Sequence, residues 1–387
     1  MSYSITDFLG LENVSCTFVE ENSLGTVIKI ETQPHEVVCP CCGRKTKRIH
    51  DYRWQLIKSL PYGGKNIYLH LRKRRYVCQC GKRFYEKYTF LAKYNRMTKN
   101  VYASIFNDCR TTDSYKSIAK RHNVSFNTVA RVINFYDRTI HKCPEVLSID
   151  EFKSNAGGNK YNCILCNPQG GKVLDILPNR TQNDLIDYFR DLKGRENVKI
   201  FVTDMYKPYA ELAKIYFHNA KIVIDKYHYY RQVNWAMERV RKRIQKAQRP
   251  QERKLLKGSR RLLSKTASSL KTEDRLALDR MLALNEDLYI AWLLKEEFLL
   301  IRNCKNSEEG RAFLTKWLEL ARSFNLREFD DCIKAFTNWF EYILNSLDTP
   351  YTNGFVEGKN NRIKVLKRNA YGVQNFERFR KRILLSC

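Results

Sequence analysis

Two apolar runs in the middle of the chain end on acidic side chains. The first, at residues 146–152, has the β-branched and aliphatic character of a strand buried in a sheet, and it ends on Asp150 and Glu151. The second, at residues 198–205, ends on Asp204. A buried strand rarely places a carboxylate in the core unless the group is paired or binds a metal. Either segment alone could simply end where a loop begins, but together they predict a site at the strand ends.

The segments around these runs alternate between strand and helix patterns. Residues 161–177 contain two strand patterns around a turn at Pro168, Gly170 and Gly171, which predicts a hairpin. Helical, strand, helical and strand patterns follow in that order, and the last strand ends near Asp225. Three consecutive strands followed by these alternating elements predict a mixed sheet with helices on its faces, in the order of an RNase H-like fold.

Helical patterns cover the chain from Tyr229 to about Leu347. The first of these helices has an apolar stripe on one face and a run of basic residues on the other. Between Arg231 and Lys265 there are thirteen basic residues and two acids, whereas a solvated helix face usually alternates its signs. We therefore interpret this face as a phosphate-binding surface. Its predicted DNA contacts are Arg241, Lys242 and Arg243.

A third acidic position, Glu357, lies on a predicted helix near the C-terminus. One face of this helix carries Glu357, Asn361, Lys364 and Arg368. A solitary carboxylate among cations could be an ion-pair partner. If Glu357 faces the two aspartates instead, the three carboxylates require cations, and Mg²⁺ (or Mn²⁺) prefers such oxygen ligands. Two ions would then activate a water or a DNA 3′-hydroxyl for attack on a phosphodiester. The basic residues predicted to hold the DNA backbone are Lys359, Arg362, Lys364, Lys367 and Arg368.

Composition and charge narrow the class of partner. The 387 residues are enough for two or three domains, and no stretch approaches the ~18 apolar residues of a membrane span. A formal charge of +29 at pH 7 favours a polyanionic partner, and nucleic acid fits better than a membrane surface. The first ten residues lack the basic and apolar regions of a signal peptide. We therefore expect a cytoplasmic protein whose thirteen cysteines are reduced thiols or metal ligands.

A strongly basic block near the N-terminus contains two pairs of cysteines. Between Arg44 and Lys99 there are seventeen Lys and Arg residues against two acids. A cysteine pair on a Pro/Gly knuckle, followed by a second pair after a hairpin, is the pattern of a structural Zn²⁺ site. The predicted ligands are Cys39, Cys42, Cys78 and Cys80. Cys41 could replace a neighbour, the second pair is closer than the usual CxxC, and a metal-free basic hairpin is the alternative.

Residues 114–138 have the pattern of a helix-turn-helix. Ser125 can cap the second helix. The residues predicted to face the core are Ile118, Ala119, Val129, Val132 and Ile133. The residues predicted to contact phosphates and base edges include Asn127, Thr128, Arg131 and Asn134. Any short helix pair can show this pattern, but its position directly after a basic zinc module favours DNA binding.

Nearly from end to end, the chain resembles the bacterial DDE transposases of the ISL3 insertion-sequence family. The resemblance rests on the CPxCG-type zinc module with RRYVC-x-CG, the helix-turn-helix, SIDEF, VTDMYKPY, DKYH and the closing TNGFVEGKNNRIKVLKRNAYGVQNFERFRKRIL. It implies a catalytic, Mg²⁺-binding triad at Asp150, Asp204 and Glu357. Asp225 and His228 match a D-x-x-H feature of several such transposases, which implies a supporting catalytic role. The 153 positions from Asp204 to Glu357 imply an all-helical insertion in the catalytic domain.

The sequence therefore predicts a multidomain α+β DNA transposase. Its predicted parts are a zinc-ribbon-like module at 1–97, a helix-turn-helix domain at 98–143, an RNase H-like α/β catalytic core at 144–228, a large all-helical insertion at 229–347 and C-terminal helices of the core at 348–387. It would bind the terminal inverted repeats of its insertion sequence, cleave them and join them to target DNA, as at least a homodimer in the bacterial nucleoid. The alternatives are a zinc/helix-turn-helix transcriptional regulator and a DDE-type nuclease.

Overall fold

The computed structural model describes residues 9–136, 140 and 142–387. The chain groups into two compact units, which are described separately. Unit 1 comprises Met1–Arg138, Lys364–Val373 and Glu377–Ser386, and unit 2 comprises Thr139–Ile363, Gln374–Phe376 and Cys387. The N-terminal segment inspected for a signal peptide lies outside the described residues, apart from Leu9 and Gly10. None of the helices in the described part of the chain is long and apolar enough to cross a membrane.

Strands build the first part of unit 1. They are β1 (Val14–Asn22), β2 (Gly25–Thr32), β3 (Val37–Val38), β4 (Lys45–Thr46), β5 (Ile49–Lys58), β6 (Ile67–Val77) and β7 (Arg83–Tyr85). Five of them form a sheet in the order β1-β2-β6-β5, with β7 against β6, and β3 pairs with β4 separately. Alternate residues of β2 and β6, such as Ile28, Ile30, Leu69 and Leu71, bury one common face.

Three helices follow in unit 1, namely α1 (Lys99–Asp108), α2 (Tyr115–Arg121) and α3 (Phe126–Asn134). Ser114 and Ser125 cap α2 and α3 by accepting hydrogen bonds from the backbone N–H groups of Ser117 and Thr128. The five apolar residues predicted to face the core are all buried: Ile118, Ala119, Val129, Val132 and Ile133. The predicted helix pair and its cap at Ser125 are confirmed.

A mixed sheet organises unit 2. Its strands are β8 (Val146–Lys153), β9 (Tyr161–Asn167), β10 (Lys172–Leu177), β11 (Ile200–Thr203) and β12 (Lys221–Ile224), in the order β10-β9-β8-β11-β12. The first three strands are antiparallel, and β11 runs parallel to both β8 and β12. The helices α4 (Gln182–Asp191) and α5 (Lys207–Tyr216) lie between the strands in sequence. The predicted hairpin and mixed sheet are confirmed.

Helices fill the rest of unit 2. They are α6 (Lys226–Ala247), α7 (Pro250–Leu256), α8 (Arg260–Ser264), α9 (Thr272–Leu282), α10 (Glu286–Leu299), α11 (Ser307–Ser323), α12 (Asp330–Asn338) and α13 (Phe340–Asn345). The apolar stripe of α6 is buried, as are the rings of Phe298, Trp317 and Phe336, which pack within 5.4 Å of one another between centroids. These aromatic contacts hold α10, α11 and α12 together.

Two helices end the chain, α14 (Gly354–Asn369) and α15 (Phe376–Ser386). Helix α14 belongs to unit 2 as far as Ile363 and to unit 1 from Lys364. Within unit 1, Arg382 donates hydrogen bonds to the backbone carbonyls of Thr111 (3.0 Å) and Asp113 (2.6 Å). Residues 348–387, predicted as C-terminal helices of the catalytic core, contribute to both compact units.

Candidate active site and zinc centre

Asp150 lies on β8, the central strand of the unit 2 sheet. Its Oδ2 accepts a hydrogen bond of 3.0 Å from Nδ2 of Asn360, a buried residue of α14. Burial, helped by the negative charges of Asp204, Glu151 and Asp225, raises the pKa of the Asp150 carboxyl to about 7, although a backbone hydrogen bond from Glu151 opposes the change. Asp150 is therefore a carboxylate held in a place that disfavours its charge.

Asp204 directly follows β11, the parallel neighbour of β8. Because Val202 is paired with Ser148, the same register places Asp204 level with Asp150. Burial raises the pKa of Asp204 to about 6; the charge of Glu151 raises it and that of Arg231 lowers it. Its Oδ1 is buried and has no hydrogen-bond partner among the described residues. The two aspartates predicted from the sequence thus lie level on neighbouring strands, where β11 ends beside β8.

Asp225 adds a third carboxylate at the same level. It follows β12, and the pairing of Thr203 with Ile224 places it level with Asp204. The side chain is buried, and its Oδ1 accepts a hydrogen bond of 3.1 Å from the backbone N–H of Asn353, next to the start of α14. Burial raises the pKa of Asp225, and the charge of Glu357 contributes to the rise. Asp225 therefore connects the sheet to the helix that carries the predicted glutamate.

His228 lies on the first turn of α6, three residues after Asp225. Its Nε2 is 3.8 Å from Oδ2 of Asp225, and its Nδ1 is 2.9 Å from Nη2 of Arg231. Burial, together with the positive charge of Arg231, lowers the pKa of His228 to about 4. The imidazole is therefore neutral at physiological pH.

Glu357 is exposed on the first turn of α14, and so are the other residues of its predicted face. Among the residues that the structure describes, only one group of three or more potential metal ligands has its atoms within 4.8 Å of one another, and that group is made of cysteines. The structure thus brings Asp150 and Asp204 level but does not gather them with Glu357 into one compact ligand set. The residue of α14 that touches Asp150 is Asn360, one turn beyond Glu357.

Asn360 was not among the residues predicted from the sequence, and Asp225 was predicted to have only a supporting catalytic role. The helical pattern carried a signal for Asn360, which lies four residues after Val356 and three before Ile363, on the apolar face of α14. A signal for Asp225 was also present, since it follows an apolar strand in the same way as Asp204.

The raised pKa values predict how stability depends on pH. The folded state binds more protons at Asp150 than the unfolded chain does between about pH 4 and pH 7, so the metal-free protein loses stability as the pH rises through this range. Asp150→Asn cannot ionise, and we expect it to raise the unfolding free energy at pH 8 by up to about 4 kcal/mol. Thermal unfolding without divalent metal at pH 8 and pH 5 measures this. An equal effect at both pH values would contradict the assignment.

The predicted DNA contacts fall into two groups. On α3, Asn127, Arg131 and Asn134 are exposed and Thr128 is half-buried. On α14, Arg362, Lys364 and Arg368 are exposed, and Lys359 and Lys367 are half-buried; Nζ of Lys359 donates to the carbonyl of Cys387 at 2.5 Å. These residues retain surface that DNA can reach.

On α6 the predicted contacts differ from one another. Lys242 is exposed. Arg241 is buried and forms hydrogen bonds with Glu238, Gln245 and the carbonyl of Leu256. Arg243 forms ion pairs with Glu328 and Asp287. Much of the basic face read from the sequence is therefore engaged inside unit 2, and we leave Arg241 out of the DNA-binding surface.

Four cysteines of unit 1 form the compact ligand group. Sγ of Cys39 lies 3.7 Å from Sγ of Cys80, and Sγ of Cys42 lies 3.5 Å from Sγ of Cys78. The turns that carry them are closed by backbone hydrogen bonds from Gly43 to Cys39 and from Gly81 to Cys78, and both glycines have positive φ, which only glycine adopts without strain. These cysteines are the four predicted ligands, and they fit a closed tetrahedral zinc site.

The thiol of Cys39 is prepared for metal binding. Burial raises its pKa, but hydrogen bonds from the backbone N–H groups of Cys42 and Cys41 outweigh that effect and lower the pKa to about 6. The exposed Cys41 takes part only through its backbone. A thiolate at neutral pH is the form that binds Zn²⁺.

The zinc site and the sheet with acids at its strand ends define a zinc-ribbon protein with an α/β domain of the transposase class. The chain belongs to the ISL3 family of transposases: the family model described as "Transposase" matches residues 147–383. A second model, described as the zinc-finger of transposase IS204/IS1001/IS1096/IS1165, matches residues 35–80, which include all four cysteines. A structural zinc ribbon is thus supported by both the family and the geometry.

Two relatives illustrate the similarity. The chain is 26% identical over 371 residues to the transposase for insertion sequence element IS1001 of Bordetella parapertussis. The aligned region covers 92% of this chain and 90% of that protein. It is 32% identical over 108 residues to a protein named ATP-dependent protease from Lactococcus lactis subsp. lactis, covering 28% of this chain and 33% of that protein. The first match spans both units, whereas the second is local and carries no argument about the whole chain.

Proposed function

We propose that the protein is a DNA transposase that binds the terminal inverted repeats of its insertion sequence and catalyses Mg²⁺-dependent cleavage and strand transfer. Asp150, Asp204 and Glu357 would form its catalytic triad. The observation that carries this proposal is the pair of half-buried carboxylates, Asp150 on β8 and Asp204 directly after the parallel strand β11, which lie level in a chain of the ISL3 transposase family. The strand order β10-β9-β8-β11-β12 supports an RNase H-like catalytic domain.

The oxygen groups of this site suit Mg²⁺. Oδ1 of Asp204 is buried without a hydrogen-bond partner among the described residues, and the charges of Asp150 and Asp204 disfavour each other. A cation would satisfy both conditions, and carboxylates are the ligands that Mg²⁺ prefers. Asp150 and Asp204 would hold the ion with Glu357 as the third ligand. When bound, Mg²⁺ stabilises the charge of the phosphodiester and makes a water or 3′-hydroxyl more acidic.

The protein's own side chains would keep the carboxylates in position. The amide of Asn360 orients Asp150, and Asp225 fixes the start of α14 through the backbone of Asn353. Neutral His228 holds the guanidinium of Arg231 near Asp204 and Asp225. We propose that this positive charge attracts the DNA phosphate and limits the repulsion between the phosphate and the carboxylates.

DNA recognition would fall to unit 1. We propose that α2 and α3 are a helix-turn-helix in which Asn127, Arg131 and Asn134 reach the major groove. The basic residues of α14 and of the zinc module would contact the backbone. Both ends of an insertion sequence must be held together, so the active form would be at least a homodimer.

Cleavage of a labelled duplex that carries the terminal repeat tests the proposal. We expect cuts at the repeat boundary with Mg²⁺ or Mn²⁺ and none with EDTA, because the carboxylates act only with a bound ion. A duplex of unrelated sequence is the control. Tight binding of the repeat without cutting in any metal would favour a regulator, and cutting of both duplexes alike would favour a nuclease.

A further inference from the structure

A cleft of about 470 Å³ opens along α6 in unit 2, and none of the three proposed triad carboxylates lines it. Its walls include Tyr227, Arg231 and Trp235 of α6 and Arg260 and Ser264 of α8. The cleft is large enough for a planar ring the size of a nucleobase, and it is lined by both aromatic and cationic groups. The proposed catalytic triad does not account for this combination of aromatic and cationic groups.

The aromatic groups of the cleft form a stacking surface. The guanidinium of Arg231 lies over the ring of Trp235, 4.6 Å from its centroid, and over the ring of Tyr227 at 5.5 Å. Trp235 nevertheless keeps 44% of its surface exposed and Tyr227 keeps 56%. Aromatic rings and guanidinium planes are the surfaces on which unpaired bases stack. Exposed rings that are fixed in place by a cation are suited to binding rather than to core packing.

The cleft lies beside the candidate active site. Arg231, which lines it, donates to His228, and His228 in turn lies 3.8 Å from Asp225. Burial raises the pKa of both Asp204 and Asp225, and the charge of Arg231 opposes part of that rise at each. A nucleotide in the cleft would thus be next to the phosphodiester that the carboxylates act on.

We propose that this cleft binds an unpaired base of the DNA substrate, stacked on Trp235, Tyr227 and the guanidinium of Arg231, beside the bond to be cleaved. This inference rests on the proposed function, because it takes DNA as the substrate of the neighbouring site. A paired base cannot enter, so the base must leave its duplex, and binding in the cleft offsets part of the cost of unstacking.

Binding to two fluorescein-labelled duplexes of the same sequence tests the cleft without any cleavage. One duplex is fully paired, and the other carries a single extra thymidine, for which the unpairing cost is already met. Without divalent metal, we expect the protein to bind the bulged duplex about 5- to 100-fold more tightly, in line with base–aromatic stacking. Trp235→Ala should remove this preference and leave binding of the paired duplex unchanged.

Three comparisons make the result decisive. Trp235→Phe retains a ring and should retain most of the preference, which separates stacking from a folding defect. Tyr289→Ala removes an exposed ring of α10 outside the cleft and should change nothing. Equal affinity of the wild type for the two duplexes, or a preference that survives in Trp235→Ala, would overturn the inference. Failure to cleave the terminal repeat would count against the proposed function. It would not affect the comparison of the bulged and paired duplexes, which measures binding alone.

Discussion

Asp150→Ala is expected to reduce metal-dependent cleavage of the terminal-repeat duplex by at least about a thousandfold while leaving affinity for the repeat unchanged. The substitution removes the carboxylate that Asn360 orients and that lies level with Asp204, so the site loses a metal ligand. Binding is preserved because the residues proposed to read the major groove, Asn127, Arg131 and Asn134, belong to unit 1, whereas Asp150 belongs to unit 2. Cleavage rates at saturating protein and affinities from gel shifts measure the two effects separately.

Asp187→Ala is the matched control for this experiment. Asp187 is an acid of α4 in the same unit, with 67% of its side chain exposed and an ion pair to Arg190 on its own helix. It should keep full activity. If Asp150→Ala lost repeat binding along with cleavage, Asp150 would have a structural role and not a catalytic one.

Stability and activity should change in opposite directions at Asp150. Its raised pKa means that the ionised side chain destabilises the metal-free fold at neutral pH. Asp150→Asn is therefore expected to stabilise the protein and to inactivate it. A residue kept for stability alone would lose both properties together. This opposition is typical of functional groups held in an unfavourable environment.

The elements with strong local signals could be predicted from the sequence. The aliphatic strand before Asp204, the cap at Ser125 and the four cysteines are where the pattern placed them. The strand predicted to end on Asp150 also forms, but it continues through Asp150 to Lys153. Each depends on neighbours within a few residues or on a chemistry that few residue types offer. Zinc ligation in particular allows almost no choice of side chain.

The contact of Asn360 with Asp150 and the engagement of the α6 arginines could not be predicted in the same way. The apolar positions Val356 and Ile363 place Asn360 on the buried face of α14, but Asp150 lies 210 residues away in the chain. The partners of Arg243 are Asp287 and Glu328, which lie 44 and 85 residues away in the chain. Ion pairs of this kind depend on tertiary packing, which a charge count along the sequence cannot contain.

Cys78→Ser is expected to remove the bound zinc and to destabilise the strand region of unit 1. Structural zinc contributes about 10–16 kcal/mol in zinc-finger peptides, which is comparable to the whole stability of a typical domain. The sheet core around Ile28 and Leu69 will resist in part. We therefore expect the unfolding midpoint of unit 1 to fall by at least about 10 °C. Metal analysis gives the zinc content, and hydrogen exchange in β5 and β6 locates the loss.

Cys41→Ser is the control that makes the zinc result specific. Cys41 is exposed, lies between two predicted ligands and is outside the compact group. Its replacement keeps the backbone N–H that supports Cys39, so one zinc per chain and the unfolding midpoint should both be retained. If Cys41→Ser lost zinc and Cys42→Ser retained it, the zinc ligand would be Cys41 and not Cys42. Retention of zinc and of folding in Cys78→Ser would refute a four-cysteine site, because three thiolates leave the coordination open to solvent.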